Sequence, residues 1–68
     1  MTASQTLHSA EPLLTAEQAA ERLNVSRNKV FELIASGELM SLKIGGSRRI
    51  TPAAVAEYIA RMEQAARP

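Results

Sequence analysis

The chain has no cysteine, so neither disulfides nor cysteine-based zinc sites can staple it. That absence fits a reducing cytoplasm. Its one histidine, His8, has no second histidine or cysteine to join it at a metal centre. No apolar run approaches the length of a membrane span, and no membrane partner is expected. The opening MTASQTLHSAEP has neither the basic start nor the apolar core of a signal peptide. Internal repeats and low-complexity tracts are lacking too. No Ser/His/Asp arrangement is present, and Gly45-Gly46 has neither the strand-loop-helix setting nor the lysine of a phosphate-binding loop. With 68 residues the chain makes one domain with a small core, and little of it can be spared for an enzyme cleft. No enzymatic activity and no cofactor are expected.

What is present is organised around Thr15 to Gly37, TAEQAAERLNVSRNKVFELIASG. Thr15 is a good N-cap, and Gln18 stands three residues on, as a capping box requires. Ala16, Ala19, Ala20 and Leu23 then recur on one face of a helix. Asn24 tolerates positive φ. Ser26 caps a second helix, whose inward stripe is Val30, Leu33, Ile34 and Gly37, with Gly37 as its natural stop. Both helices are too short to be stable alone. Packing them through small alanines gives the geometry of a helix-turn-helix.

Before this stretch, residues 1–11 are polar and aperiodic and are expected to form a disordered arm; the folded domain is expected over 12–68. Leu13 and Leu14 fit either a very short strand or a staple for the first helix. After it, Leu42 and Ile44 alternate with Ser41 and Lys43, as in a half-buried strand. The glycine pair Gly45-Gly46 supplies positive φ for a tight turn into Ser47, Arg48, Arg49 and Ile50. A two-stranded hairpin is therefore expected, lying on the helices because a lone hairpin is marginal in water. Thr51 and Pro52 start a last helix. Its apolar stripe of Val55, Tyr58, Ile59, Met62 and Ala66 closes the core, with the end from Met62 onward left over for a partner.

The net charge is only +1, which alone does not point to nucleic acid. Its distribution says more. Between positions 22 and 49, Arg22, Arg27, Lys29, Lys43, Arg48 and Arg49 oppose only Glu32 and Glu38, a local net of +4. Ahead of them stand Glu11, Glu17 and Glu21, a net of −3. A basic patch confined to the second helix and the hairpin after it is distributed as a nucleic-acid footprint would be, and the charge alone fits a solvated surface equally well. With Val30, Leu33 and Ile34 inward, Asn28 and Glu32 point outward, flanked by Arg27 and Lys29. The helix start suits phosphate, and asparagine and arginine pair with adenine and guanine at major-groove edges. Phe31 lies between the two faces and is assigned to the core. Glu32 either accepts from cytosine, holds Arg27 or Lys29, or is simply solvated. At the hairpin tip small residues allow close approach, and Arg48 and Arg49 can reach a narrow minor groove.

The run LLTAEQAAERLNVSRNKVFELIASGELMSLKIGGSRRITPAAVAEYI resembles the excisionase-type DNA-binding domains, related to the winged helix-turn-helix of MerR-type regulators. The resemblance implies a mainly α fold with a small β-hairpin wing. It implies that the second helix enters the major groove through Ser26, Arg27, Asn28, Lys29 and Glu32. The wing would then lie against the minor groove through Lys43, Gly46, Ser47, Arg48 and Arg49. Many relatives carry an aromatic residue where Arg48 stands, and this chain departs from them there. The implied role is that of a recombination directionality factor of a phage or integrative element. Such a protein binds repeated sites on double-stranded DNA, bends it and favours integrase-driven excision, in the bacterial cytoplasm at the nucleoid. An integrase is the implied protein partner. Copies of the chain are expected to load cooperatively on DNA, with Met62 and Ala66 as the self-association surface. Two other readings stand beside this one: a small transcriptional regulator, and a protein-interaction module using the Tyr58 to Ala66 stripe with no DNA role.

Overall fold

The computed structural model describes residues 12–67. Within them lie α1 (Ala16–Leu23), α2 (Arg27–Ser36), the hairpin strands β1 (Leu42–Ile44) and β2 (Ser47–Arg49), and α3 (Pro52–Ala66). This is a winged helix-turn-helix. The expected arm, with His8, lies outside the described residues, as does residue 68.

All three helices start on a hydroxyl cap. The Thr15 side chain accepts from the Gln18 amide, and the Gln18 side chain accepts from the Thr15 amide, completing the capping box. Ser26 accepts from the Lys29 amide and Thr51 from the Ala54 amide, with Pro52 in the first turn of α3. Each such cap contributes about 0.5–2 kcal/mol. The helix ends rely on local chemistry in the same way. Asn24 takes the left-handed conformation at φ 59, and the next amide, Val25, reaches back to the Ala20 carbonyl. Gly37 does the same at φ 85, with Glu38 bonded to the Leu33 carbonyl. These two stops set the turn between α1 and α2 and the exit toward the wing.

Small residues bring the helices together. Ala19 and Val30 are both 0 % exposed, and Ala16, Ala20 and Leu33 are buried around them. α1 packs against both α2 and α3. Leu39 and Ile50 complete the core from the base of the hairpin, and Ala54 and Val55 close it from α3. Arg61, further along α3, donates to the Glu38 carbonyl and so ties the last helix to the link that leaves α2. The apolar stripe of α3 outlasts this core. Val55 is buried and Tyr58 half-buried, but Ile59 and Met62 are 39 % and 41 % exposed, and Ala66 is exposed.

The hairpin departs from expectation in two ways. Its strands are antiparallel, with Leu42 opposite Arg49, Lys43 opposite Arg48 and Ile44 opposite Ser47. Leu42 and Ile44 alternate as a strand should, yet they are 47 % and 53 % exposed, so neither face of the ribbon lies on the helices. The ribbon is held at its base instead. Leu39 and Ile50 are buried on either side of it, and Leu14 pairs with Ile50 through two reciprocal backbone bonds of 2.8 Å. Of the two readings of Leu13 and Leu14, Leu14 takes the strand-like one. The turn is the second departure. Gly45 alone has positive φ, at 62, whereas Gly46 does not. One positive φ, at the first central residue, is the pattern of a type II′ turn, so Gly45 and not Gly46 is the residue the backbone demands.

Candidate nucleic-acid interface

The start of α2 and the tip of the wing border one cleft of about 320 Å³. Its third wall is the start of α1. Thr15, Ala16 and Glu17 line it from α1, Arg27 and Phe31 from α2, and Gly46, Ser47, Arg48 and Arg49 from the wing. The fold therefore brings five of the expected contact residues to one place. Ser26, Asn28, Lys29, Glu32 and Lys43 lie outside this lining, all exposed.

Within the cleft Arg27 is held in two directions. Its Nε donates to Glu17 Oε2 at 2.7 Å, and its guanidinium carbon stands 4.8 Å from the centre of the Phe31 ring. Glu17 is drawn below the ordinary carboxylate range, first by its own backbone amide and next by Arg27. It is ionised at neutral pH, so Glu17 and Arg27 form a charged pair. Phe31, expected in the core, is half-buried and packs against it, but its open face carries Arg27.

On the outer face of α2, Ser26 Oγ is engaged in capping. Asn28 is exposed, and among the described residues its amide makes no hydrogen bond. Lys29 Nζ lies 3.8 Å from Glu32 Oε1, an exposed pair one turn apart, so of the roles open to Glu32 it takes that of a loose partner to Lys29. The first amides of α2 have no partner inside the helix, and of these the Lys29 amide is capped by Ser26.

The wing carries its charge in an unusual pairing. Lys43 and Arg48 are directly opposite each other in the ladder, two cations on one face. Arg48 leans away, its Nη1 donating to Ser41 Oγ at 3.1 Å, while Arg49 Nη1 donates to the Arg48 carbonyl at 2.8 Å. Like charges directly opposite on a ribbon cost stability. An anion between them removes that cost, and a phosphate is such an anion. Among the described residues no group of three or more His, Cys, Asp or Glu side chains converges as a metal site, and no helix is long and apolar enough to cross a membrane.

Sequence reasoning misses Glu17, Thr15 and Ala16 as walls of this cleft. In the sequence Glu17 counts only as part of an acidic N-terminal segment. Its partner stands ten positions later across a turn, and only the packing angle of α1 on α2 brings the two together.

A family model described as a helix-turn-helix domain matches residues 13–63. The chain is 48% identical over 50 residues to a probable excisionase of Saccharopolyspora erythraea, a match covering 74% of this chain and 51% of that protein. It is 45% identical over 47 residues to an excisionase of Streptomyces ambofaciens, covering 69% of this chain and 76% of the relative. The chain thus spans about half the length of the first of these relatives. No solved structure matches it significantly.

Proposed function

The chain belongs to the excisionase-type helix-turn-helix DNA-binding family, and from that premise we propose that it is a recombination directionality factor. In this reading α2 enters the major groove with Asn28 and Arg27 toward base edges, and the wing lies over the adjacent minor groove. The strand of phosphates between the two grooves runs past the cleft, where Ser47, Arg48 and Arg49 meet it. Lys29 and Lys43 add phosphate contacts at either side. The observation that carries the reading is the cleft itself, which puts the start of α2 and the basic wing tip on one concave surface.

A module of this size buries about 600–1,000 Å² of protein surface on DNA, small for a tight specific complex. Repeated sites and neighbouring copies supply the rest by raising effective concentration. The apolar groove formed by Leu23, Val25, Ile59, Met62 and Ala66 is the surface for that contact. Several copies along one stretch would bend the DNA and set the geometry in which an integrase excises. The protein would act in the bacterial cytoplasm, at the nucleoid, and perform no catalysis itself.

The test is recombination in vitro with a candidate cognate integrase. Adding the protein to a substrate carrying both attachment junctions should raise excision and depress integration. Tight, site-specific DNA binding with no change in either direction would favour a transcriptional regulator instead.

A further inference from the structure

We propose that Glu17 is a positioning residue that turns Arg27 from a phosphate anchor into a reader of guanine. The proposal rests on the DNA reading above and names what one of its side chains recognises.

Arginine's guanidinium is planar, with five N–H donors in a fixed fork. Here Nε is taken by Glu17 at 2.7 Å. The ring of Phe31, 4.8 Å from the guanidinium carbon, fixes the tilt of the plane. One contact sets direction within the plane and the other sets the plane, so the free end, with both Nη groups, projects in one defined orientation. That end matches the O6 and N7 acceptors of guanine in the major groove, the commonest specific contact arginine makes.

Charge points the same way. An arginine that serves affinity should bring a net positive charge to the phosphates, because counterion release scales with the charge neutralised. Arg27 and Glu17 together bring none. Nor does the pair serve stability to any extent, since both side chains are more than half exposed and such pairs contribute little. What a neutral, oriented guanidinium retains is hydrogen-bonding geometry, which specifies sequence without adding general attraction. Arg48 and Arg49 make the contrast. No carboxylate holds them among the described residues; their bonds go to Ser41 Oγ and to a backbone carbonyl. They keep their charge for the backbone.

The experiment is selection of bound duplexes from a randomised pool, with a salt titration on bulk DNA. The wild type should enrich guanine at one position, and Arg27→Lys should lose that preference alone, by about five- to hundred-fold. Glu17→Ala should lose it as well. It should also bind bulk DNA more tightly, with a log–log salt slope steeper by about 0.9, as one more cation becomes available to phosphate. Glu17→Gln separates the two effects: its amide oxygen can still accept from Nε, so the guanine preference returns while the steeper slope stays. Loss of a first-turn acid from α1 could lower melting temperature through the helix dipole, but it would leave base preference unmoved. Glu17→Ala with wild-type guanine preference would overturn the inference, as would Arg27→Lys with every preference intact; in both cases DNA binding itself stands. A wild type that binds no duplex would overturn the DNA reading and this inference with it.

Discussion

Gly45 stands at φ 62 with nothing within 4 Å of the place a side chain would occupy, so replacing it meets a conformational penalty and no clash. For an L-residue that penalty is about 1–2 kcal/mol, and more for a β-branched one. Gly46 has the same open space and no positive φ. Gly45→Val should therefore distort the wing tip and weaken DNA binding more than Gly46→Ala, which keeps the turn and adds one methyl to the cleft wall; paired titrations of one duplex compare them. From the residues alone the two glycines are indistinguishable, because the ladder register puts both in the turn and only the backbone conformation shows which takes the positive φ. Asn28 and Arg49 make a second comparison. Asn28→Ala should cost about 1–3 kcal/mol on a preferred site and relax base preference. Arg49→Ala should weaken all sequences evenly, since groove-shape and phosphate contacts position without specifying. Circular dichroism should stay native in both. The exposed asparagine is legible in the helical period; the restraint of Arg27 is not, because Glu17 meets it only through tertiary packing.

Among the elements, helices are more legible than the wing. Thr15, Ser26 and Thr51 each cap locally, and Asn24 and Gly37 each stop locally, so their roles can be read from neighbours in the chain. The hairpin depends on what lies under it. Alternation in Leu42 and Ile44 signals a strand but does not say whether a surface exists to cover them, and among the described residues none does. The ribbon carries a cost of its own, Lys43 opposite Arg48. Lys43→Thr should remove that repulsion and add a residue suited to strands, raising stability by about 0.2–1 kcal/mol. The same change should weaken DNA binding. Thermal melting and duplex titration on one preparation read the two opposed effects.

For the molecule as a whole, six basic side chains lie between positions 22 and 49. Of these, Lys29, Lys43, Arg48 and Arg49 are the four that meet phosphate in the proposed complex. The log–log salt slope should then be about −3 to −4, and affinity should fall roughly 10² between 50 and 200 mM salt. A flat titration would contradict the interface. Met62 lies in the exposed groove beside Ile59 and Val25. Met62→Glu should abolish any difference in midpoint between isolated and repeated sites while leaving isolated-site binding nearly intact, as footprinting across both duplexes would report. The reciprocal bonds between Leu14 and Ile50 carry a different consequence. They join the start of the described chain to the far side of the wing at Ile50, itself 0 % exposed. Neither amide can be released without parting the other pair and opening the core around Ile50. In hydrogen–deuterium exchange the Leu14 and Ile50 amides should therefore share one protection factor, set by global unfolding. The wing tip a few residues away should exchange early, so that the slowest and the fastest amides of the hairpin region sit almost side by side in the sequence.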